Sequence, residues 1–112
     1  MTRTGKVYFK NELAGRVWQD EIENRYGFQY EPDYLLKTAA RAISFTLPLR
    51  KELYLFETMI PFFDGLIPEG WLLDIAVKNW KLHPADRMGL LLTVCEDCIG
   101  AVYIISEGKN EE

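Results

Sequence analysis

The alternation of apolar and polar residues is cleanest between Arg25 and Tyr30, where Tyr26, Phe28 and Tyr30 are separated by Gly27 and Gln29. A period of two puts the three rings on one face, so the segment predicts a half-buried β-strand. Ahead of it, Lys6–Lys10 and Arg16–Glu21 carry β-branched and aromatic residues on either side of Asn11-Glu12-Leu13-Ala14-Gly15. That connection has turn formers at both ends and predicts a hairpin. Pro32 then opens a short helical turn through Lys37, with Asp33 where a helix N-terminus favours a carboxylate. A second alternation, Ile43-Ser44-Phe45-Thr46-Leu47, predicts a further strand, ended by Pro48, which has no N–H to give to a ladder.

From Thr58 onward the periodicity is helical. Pro61 through Leu66 fits a short helix ended by Gly65, and Pro68-Glu69-Gly70 opens a longer one reaching about Leu82. At 100° per residue, Leu72, Leu73, Ala76, Val77 and Trp80 share one broad side, while Asp74, Lys78 and Lys81 form a polar stripe. Trp71 falls on the flank of that stripe, half a turn from Trp80, so both indoles cannot enter one core. Pro84 opens a third helix, with His83 just before it and Met88, Leu91 and Leu92 on its apolar face. After Cys95–Gly100, the β-branched run Ala101-Val102-Tyr103-Ile104-Ile105 predicts a buried strand that closes the sheet. The pattern describes an α+β protein. It is one domain over residues 1–106 with a flexible tail at 107–112.

Composition narrows the function classes. A chain of 112 residues that is 48% hydrophobic suits one core and excludes two domains. Its formal net charge of −4 lacks the basic footprint of a protein that binds nucleic acid directly. Its apolar runs fall far short of the roughly 20 residues a membrane-spanning helix requires. Met1–Lys6 has no signal-peptide core, so the expectation is a soluble cytoplasmic protein. Cys95 and Cys98 form a Cys-x-x-Cys, but with no second pair and one His they complete no zinc site, and they sit before a strand rather than at the start of a helix. No cofactor or metal is expected.

No catalytic set assembles along the chain. Phosphate-cradling glycine clusters are absent. Phe62-Phe63-Asp64-Gly65 has the wrong order for the Asp-Phe-Gly of kinases, and neither a strand lysine nor a catalytic-loop Asp goes with it. Asp64 and Glu69 approach across the Leu66–Pro68 turn, and a small hydrolase using them would show turnover and a deep pocket. No nucleophile accompanies them, and carboxylates at helix ends serve more often as caps. What remains is an aromatic and apolar surplus at Tyr54, Phe56, Met59, Phe62, Phe63, Leu66, Ile67 and Trp71, in a stretch stiffened by Pro and Gly. Most of it must be core. Trp71 is the candidate to leave it, since tryptophan is enriched at interface hot spots.

Three segments resemble a known family: Ile43-Ser44-Phe45-Thr46-Leu47-Pro48-Leu49, Pro61-Phe62-Phe63-Asp64-Gly65-Leu66-Ile67-Pro68-Glu69-Gly70, and Gly100-Ala101-Val102. Their order and spacing are similar to the N-terminal subdomain of HipA-type toxin kinases, and to its free-standing form, the HipS-like antitoxin subunit of split systems. Cys95 departs from the pattern, which usually has glycine before the acidic pair Glu96-Asp97. The resemblance implies a small antiparallel sheet or partly open barrel with three or so helices beside it. It also implies a non-catalytic subunit that binds and restrains a companion HipA-like serine/threonine kinase encoded nearby, within a complex that can include a helix-turn-helix repressor. Trp71 would insert into the kinase, supported by Phe63, Asp64 and Glu69. The alternative is a structural subunit that completes such a kinase and supports its activity.

Overall fold

The computed structural model describes residues 2–67, 74, 78, 83, 85–94 and 101–107. Five strands and three helices lie wholly among them: β1 (Thr2–Phe9), β2 (Glu12–Asp20), β3 (Arg25–Tyr30), α1 (Pro32–Leu35), β4 (Tyr54–Phe56), α2 (Pro61–Asp64), α3 (Arg87–Val94) and β5 (Val102–Ser106). The strands form one antiparallel sheet in the order β4-β3-β2-β1-β5. The sheet is open, and the architecture is α+β.

The β1–β2 hairpin is tighter than the sequence predicts. Its turn is Lys10-Asn11, both left-handed at φ 51° and 69°, a geometry that matches the twist of the flanking strands. Leu13, Ala14 and Gly15 belong to β2, and a bulge between Val7 and Tyr8 absorbs the extra residue. One face of the sheet carries Val7, Val17, Phe28 and Ile104, all fully buried beneath α2 and α3, whose Phe63, Met88, Leu90 and Leu91 complete the core. β5 does not sit in the interior as expected. It stands at the sheet edge beside β1, with Val102 and Ile104 turned into the core.

The segment 43–47 is a second correction, because it is a turn rather than a strand. Leu47 N–H donates to Ser44 O at 3.1 Å, and the Ser44 hydroxyl lies 2.9 Å from that of Thr46 and accepts from Thr46 N–H at 3.2 Å. The alternation reflects Ile43 and Leu47 pointing inward at either end, while Phe45 between them is fully exposed. Tyrosine hydroxyls replace the missing ladder. Tyr30 Oη accepts from Ile43 N–H at 3.1 Å and donates to Leu47 O, Tyr34 Oη donates to Arg41 O at 2.6 Å, and Tyr54 Oη donates to Pro48 O at 2.5 Å. Burial pushes the Tyr30 hydroxyl up to about 12, so it keeps its donor proton at physiological pH. Tyr30→Phe leaves a buried N–H and a buried C=O unpaired. It is expected to cost about 2 kcal/mol by urea denaturation without changing the sheet content seen by circular dichroism.

Candidate partner-binding site

Of the four residues singled out from the sequence, Trp71 and Glu69 lie outside the described residues, as do Cys95, Cys98 and Trp80. Asp74 and Lys78 are helical and exposed, as their polar stripe predicts. Phe63 is fully buried. Its ring packs edge-on to Phe62 at 5.2 Å and tilts against Phe28 of β3 at 5.5 Å. It therefore has no surface to offer a partner, and any part it plays in binding is to hold the turn from beneath. The sequence Phe62-Phe63 does not reveal which ring goes in, because a single helical turn decides it. Here Pro61 starts α2 from an extended Ile60, and Phe63 faces the sheet while Phe62 stays half-buried at its side.

Asp64 is committed to a salt bridge. Arg87 Nε donates to its Oδ1 at 2.6 Å, tying the end of α2 to the start of α3. The pair is partly exposed, so it contributes little to stability. Among the described residues, no group of three or more His, Cys, Asp or Glu side chains is placed to hold a metal ion.

A larger polar cluster lies at the same, N-terminal end of α3. Arg3 of β1 grips Asp86 with both terminal nitrogens, at 2.8 and 3.1 Å, while its Nε donates to Gln19 Oε1 at 3.1 Å and lies 3.0 Å from Glu21 Oε2. Asp86 also caps α3 by accepting from Gly89 N–H at 3.1 Å. The hydrogen bonds from Arg3 hold the Asp86 carboxyl below its usual range, and the same bonds raise Arg3. Because the folded value of Asp86 is depressed, its contribution is complete above the unfolded carboxylate range and is lost as pH falls through the folded value. The stability gap between the wild-type protein and Asp86→Asn is therefore expected to shrink below about pH 4, measured by urea midpoints across an acid series. His83, expected at a helix start, accepts from Ala85 N–H at its Nδ1, 3.0 Å away, in the turn leading to α3.

The sheet face turned away from the helices carries features that sequence reading missed. Tyr8 and Tyr103 stack at 5.0 Å with an interplanar angle of 4°. Trp18 lies across Gly27, where a Cβ would meet its Cζ2 at 2.3 Å. Arg16 is held between Glu31 and Glu107, the latter at 3.2 Å. A shallow groove of about 570 Å³ runs past Thr4, Arg16, Trp18, Asp20 and Glu31. Only the strand register reveals the Trp18–Gly27 pairing.

Comparison with known proteins decides the family. The family model described as HipA N-terminal domain matches residues 5–105. The chain belongs to the HipA N-terminal domain family. A solved structure described as the N-terminal domain of HipA toxin shares the fold, with a TM-score of 0.71 and 29% identity over 96% of this chain and 94% of that one. An uncharacterized protein of Haemophilus influenzae is 30% identical over 107 residues, which is 96% of this chain and 95% of that protein. A putative kinase, Y4mE of Sinorhizobium fredii, is 27% identical over 108 residues. That alignment takes in 96% of this chain but 26% of the kinase.

Proposed function

We propose that this protein is a non-catalytic regulatory subunit, an antitoxin, that binds a companion HipA-like serine/threonine kinase and hinders its closed, active arrangement. The observation that carries this reading is the unequal coverage of the kinase alignment: nearly all of this chain corresponds to about a quarter of a putative kinase. In this reading the catalytic body is supplied by another polypeptide, which is supported by the Haemophilus influenzae relative that matches this chain over 95% of its own length. The lack of a phosphate-cradling glycine loop, and the commitment of Asp64 to Arg87, fit a chain that leaves the chemistry to its partner. The complex would be cytoplasmic and, with a helix-turn-helix repressor as a further member, would leave DNA contact to that repressor.

Within the interface, Trp71 inserts into the kinase, Asp64 and Glu69 flank it, and Phe63 supports the turn from the core. Trp71→Ala is expected to weaken binding to the co-expressed kinase about 30-fold, equivalent to about 2 kcal/mol, with the melting temperature unchanged. Equal affinity of the two proteins by calorimetry would refute the assignment. A second reading, that the subunit completes the kinase and supports its activity, is favoured by the same alignment, since in the S. fredii protein the matching segment is part of the kinase chain. Co-expression separates the two. Rescue of growth arrested by the kinase means inhibition, and arrest that needs both proteins means support.

A further inference from the structure

Residues 41–48 form a strap held down by three tyrosine hydroxyls. Tyr34 Oη donates to Arg41 O at 2.6 Å and accepts from Arg41 N–H at 3.2 Å, Tyr30 Oη holds Ile43 N–H and Leu47 O, and Tyr54 Oη donates to Pro48 O at 2.5 Å. The rings beneath are themselves packed, Tyr30 on Tyr34 at 6.1 Å and Phe28 between Tyr30 at 4.8 Å and Tyr54 at 6.3 Å. Ile43 and Leu47 drop into the core on either side of the turn, so its backbone is fixed from both directions. At the apex stands Phe45, the most exposed large apolar side chain among the described residues.

A lone apolar side chain on a surface is ordinary. Phe45 differs on two counts. Leu36 and Leu49 of the same stretch are also exposed, at 83% and 39%. The stretch is also basic within an acidic chain: between Asp33 and Glu52 stand Lys37, Arg41, Arg50 and Lys51 with no acid among them. Lys37 is paired with Glu12 at 3.3 Å, but Arg41, Arg50 and Lys51 have no acidic partner among the described residues. Arg50 is held in place, its guanidinium 3.7 Å from the centre of the Tyr54 ring and its Nε and Nη2 donating to the carbonyls of Glu52 and Leu53. A fixed aromatic ring with arginines on both sides has the composition of an interface centre, where aromatic residues and Arg are enriched.

We propose that Phe45 enters an apolar pocket of the companion kinase, rimmed by carboxylates that meet Arg41 and Lys51, a contact that rests on the reading of this chain as a kinase subunit. Charge selects the occupant. A second copy bound symmetrically would set strap against strap and bring like charges face to face. A membrane or a nucleic acid would present negative charge to the whole molecule, whose net charge is −4 and whose acids all lie outside the stretch from Tyr34 to Lys51. A pocket on a protein confines its negative charge to the strap. The kinase relation explains the need for such an anchor. In the S. fredii protein the matching segment is joined to the rest of the kinase by the chain itself, which keeps the local concentration high. A separate subunit must replace that tether with side-chain contacts, and a ring already fixed by its backbone loses little freedom on binding.

Calorimetric titration of the kinase with the full chain and its variants is the test. Phe45→Ala is expected to bind about 30-fold more weakly with an unchanged urea midpoint, because the ring lies outside the core. Wild-type affinity is expected to fall with added salt, and the double variant Arg41→Gln, Lys51→Gln to flatten that dependence. A turn with a purely structural role would move neither readout. Sedimentation of the chain alone, and its binding to vesicles of phosphatidylserine and phosphatidylcholine, are expected to be the same for wild type and Phe45→Ala. If the unmodified chain binds the kinase and Phe45→Ala binds it equally well, the proposal is overturned and the function above stands. If the unmodified chain does not bind the kinase, both fall. A salt dependence that the double variant leaves intact overturns the carboxylate rim. Self-association or vesicle binding that Phe45→Ala abolishes would assign the strap to a second copy or to a membrane, and overturns the proposal as well.

Discussion

Phe63→Ala is expected to destabilise the domain by about 3–5 kcal/mol, the largest loss of any single truncation in the core. Phe63 is fully buried where α2 meets the sheet, and its ring touches both Phe62 and Phe28. Removing it forfeits burial of a large aromatic side chain and leaves a cavity that two neighbouring rings cannot both fill. A domain of this size holds roughly 5–15 kcal/mol in total, so the variant should unfold at a much lower urea midpoint while keeping the wild-type slope. The result bears on function too. Any loss of kinase binding in Phe63→Ala should track the fraction unfolded and vanish at low temperature or in a stabilised background, whereas the loss in Trp71→Ala should persist in a fully folded protein.

The second large effect is expected at Gly15. A Cβ there would lie 2.4 Å from Gln29 O of the neighbouring strand and 2.9 Å from the Phe28 ring. The backbone oxygen is fixed by the β2–β3 ladder, so relief requires moving a strand. Gly15→Ala should cost about 3 kcal/mol, the upper end of ordinary overpacking. Gly27 is the control. Its added Cβ also clashes, at 2.3 Å, but with the Trp18 ring, a half-exposed side chain that can swing aside. Thermal melts of the two alanine variants should therefore separate, with Gly15→Ala melting well below Gly27→Ala.

The sequence was a good guide where periodicity alone determines structure. β3 is found where its three alternating aromatics place it, and α1 and α2 start at the prolines that open them. It was a poor guide where the deciding contact comes from elsewhere in the chain. Ile43–Leu47 has the alternation of a strand, but its backbone is claimed by the hydroxyl of Tyr30, a strand residue whose reach no local pattern reveals. The Lys10-Asn11 turn hides behind an ordinary lysine, because left-handed backbone at that position is set by the two strands it joins. β4 is too short to show a period. At the candidate site, Asp64 was visible as a helix-end acid, but its partner Arg87 stands on another helix, so its role as a bridge between helices could not be read locally. The solvent-side pairs, Tyr8 with Tyr103 and Trp18 with Gly27, exist only once the register is known.

β1 is joined on one side by its neighbour β2 and on the other by β5 from the far end of the described chain, and Arg3 at its start clasps Asp86 beside α3. Order of synthesis therefore matters. The β1–β2–β3 meander is built from local pairings and can close within microseconds of emerging, whereas a ribosome adding about 5–20 residues per second needs several more seconds to deliver β5. During that interval β1 presents an open edge, and Gly5 and Val7 lack the roof that α3 and Ile104 later provide. Until β5 arrives the domain has its β1 edge open to mispairing, so slower translation between β3 and β5 is expected to lengthen that exposure.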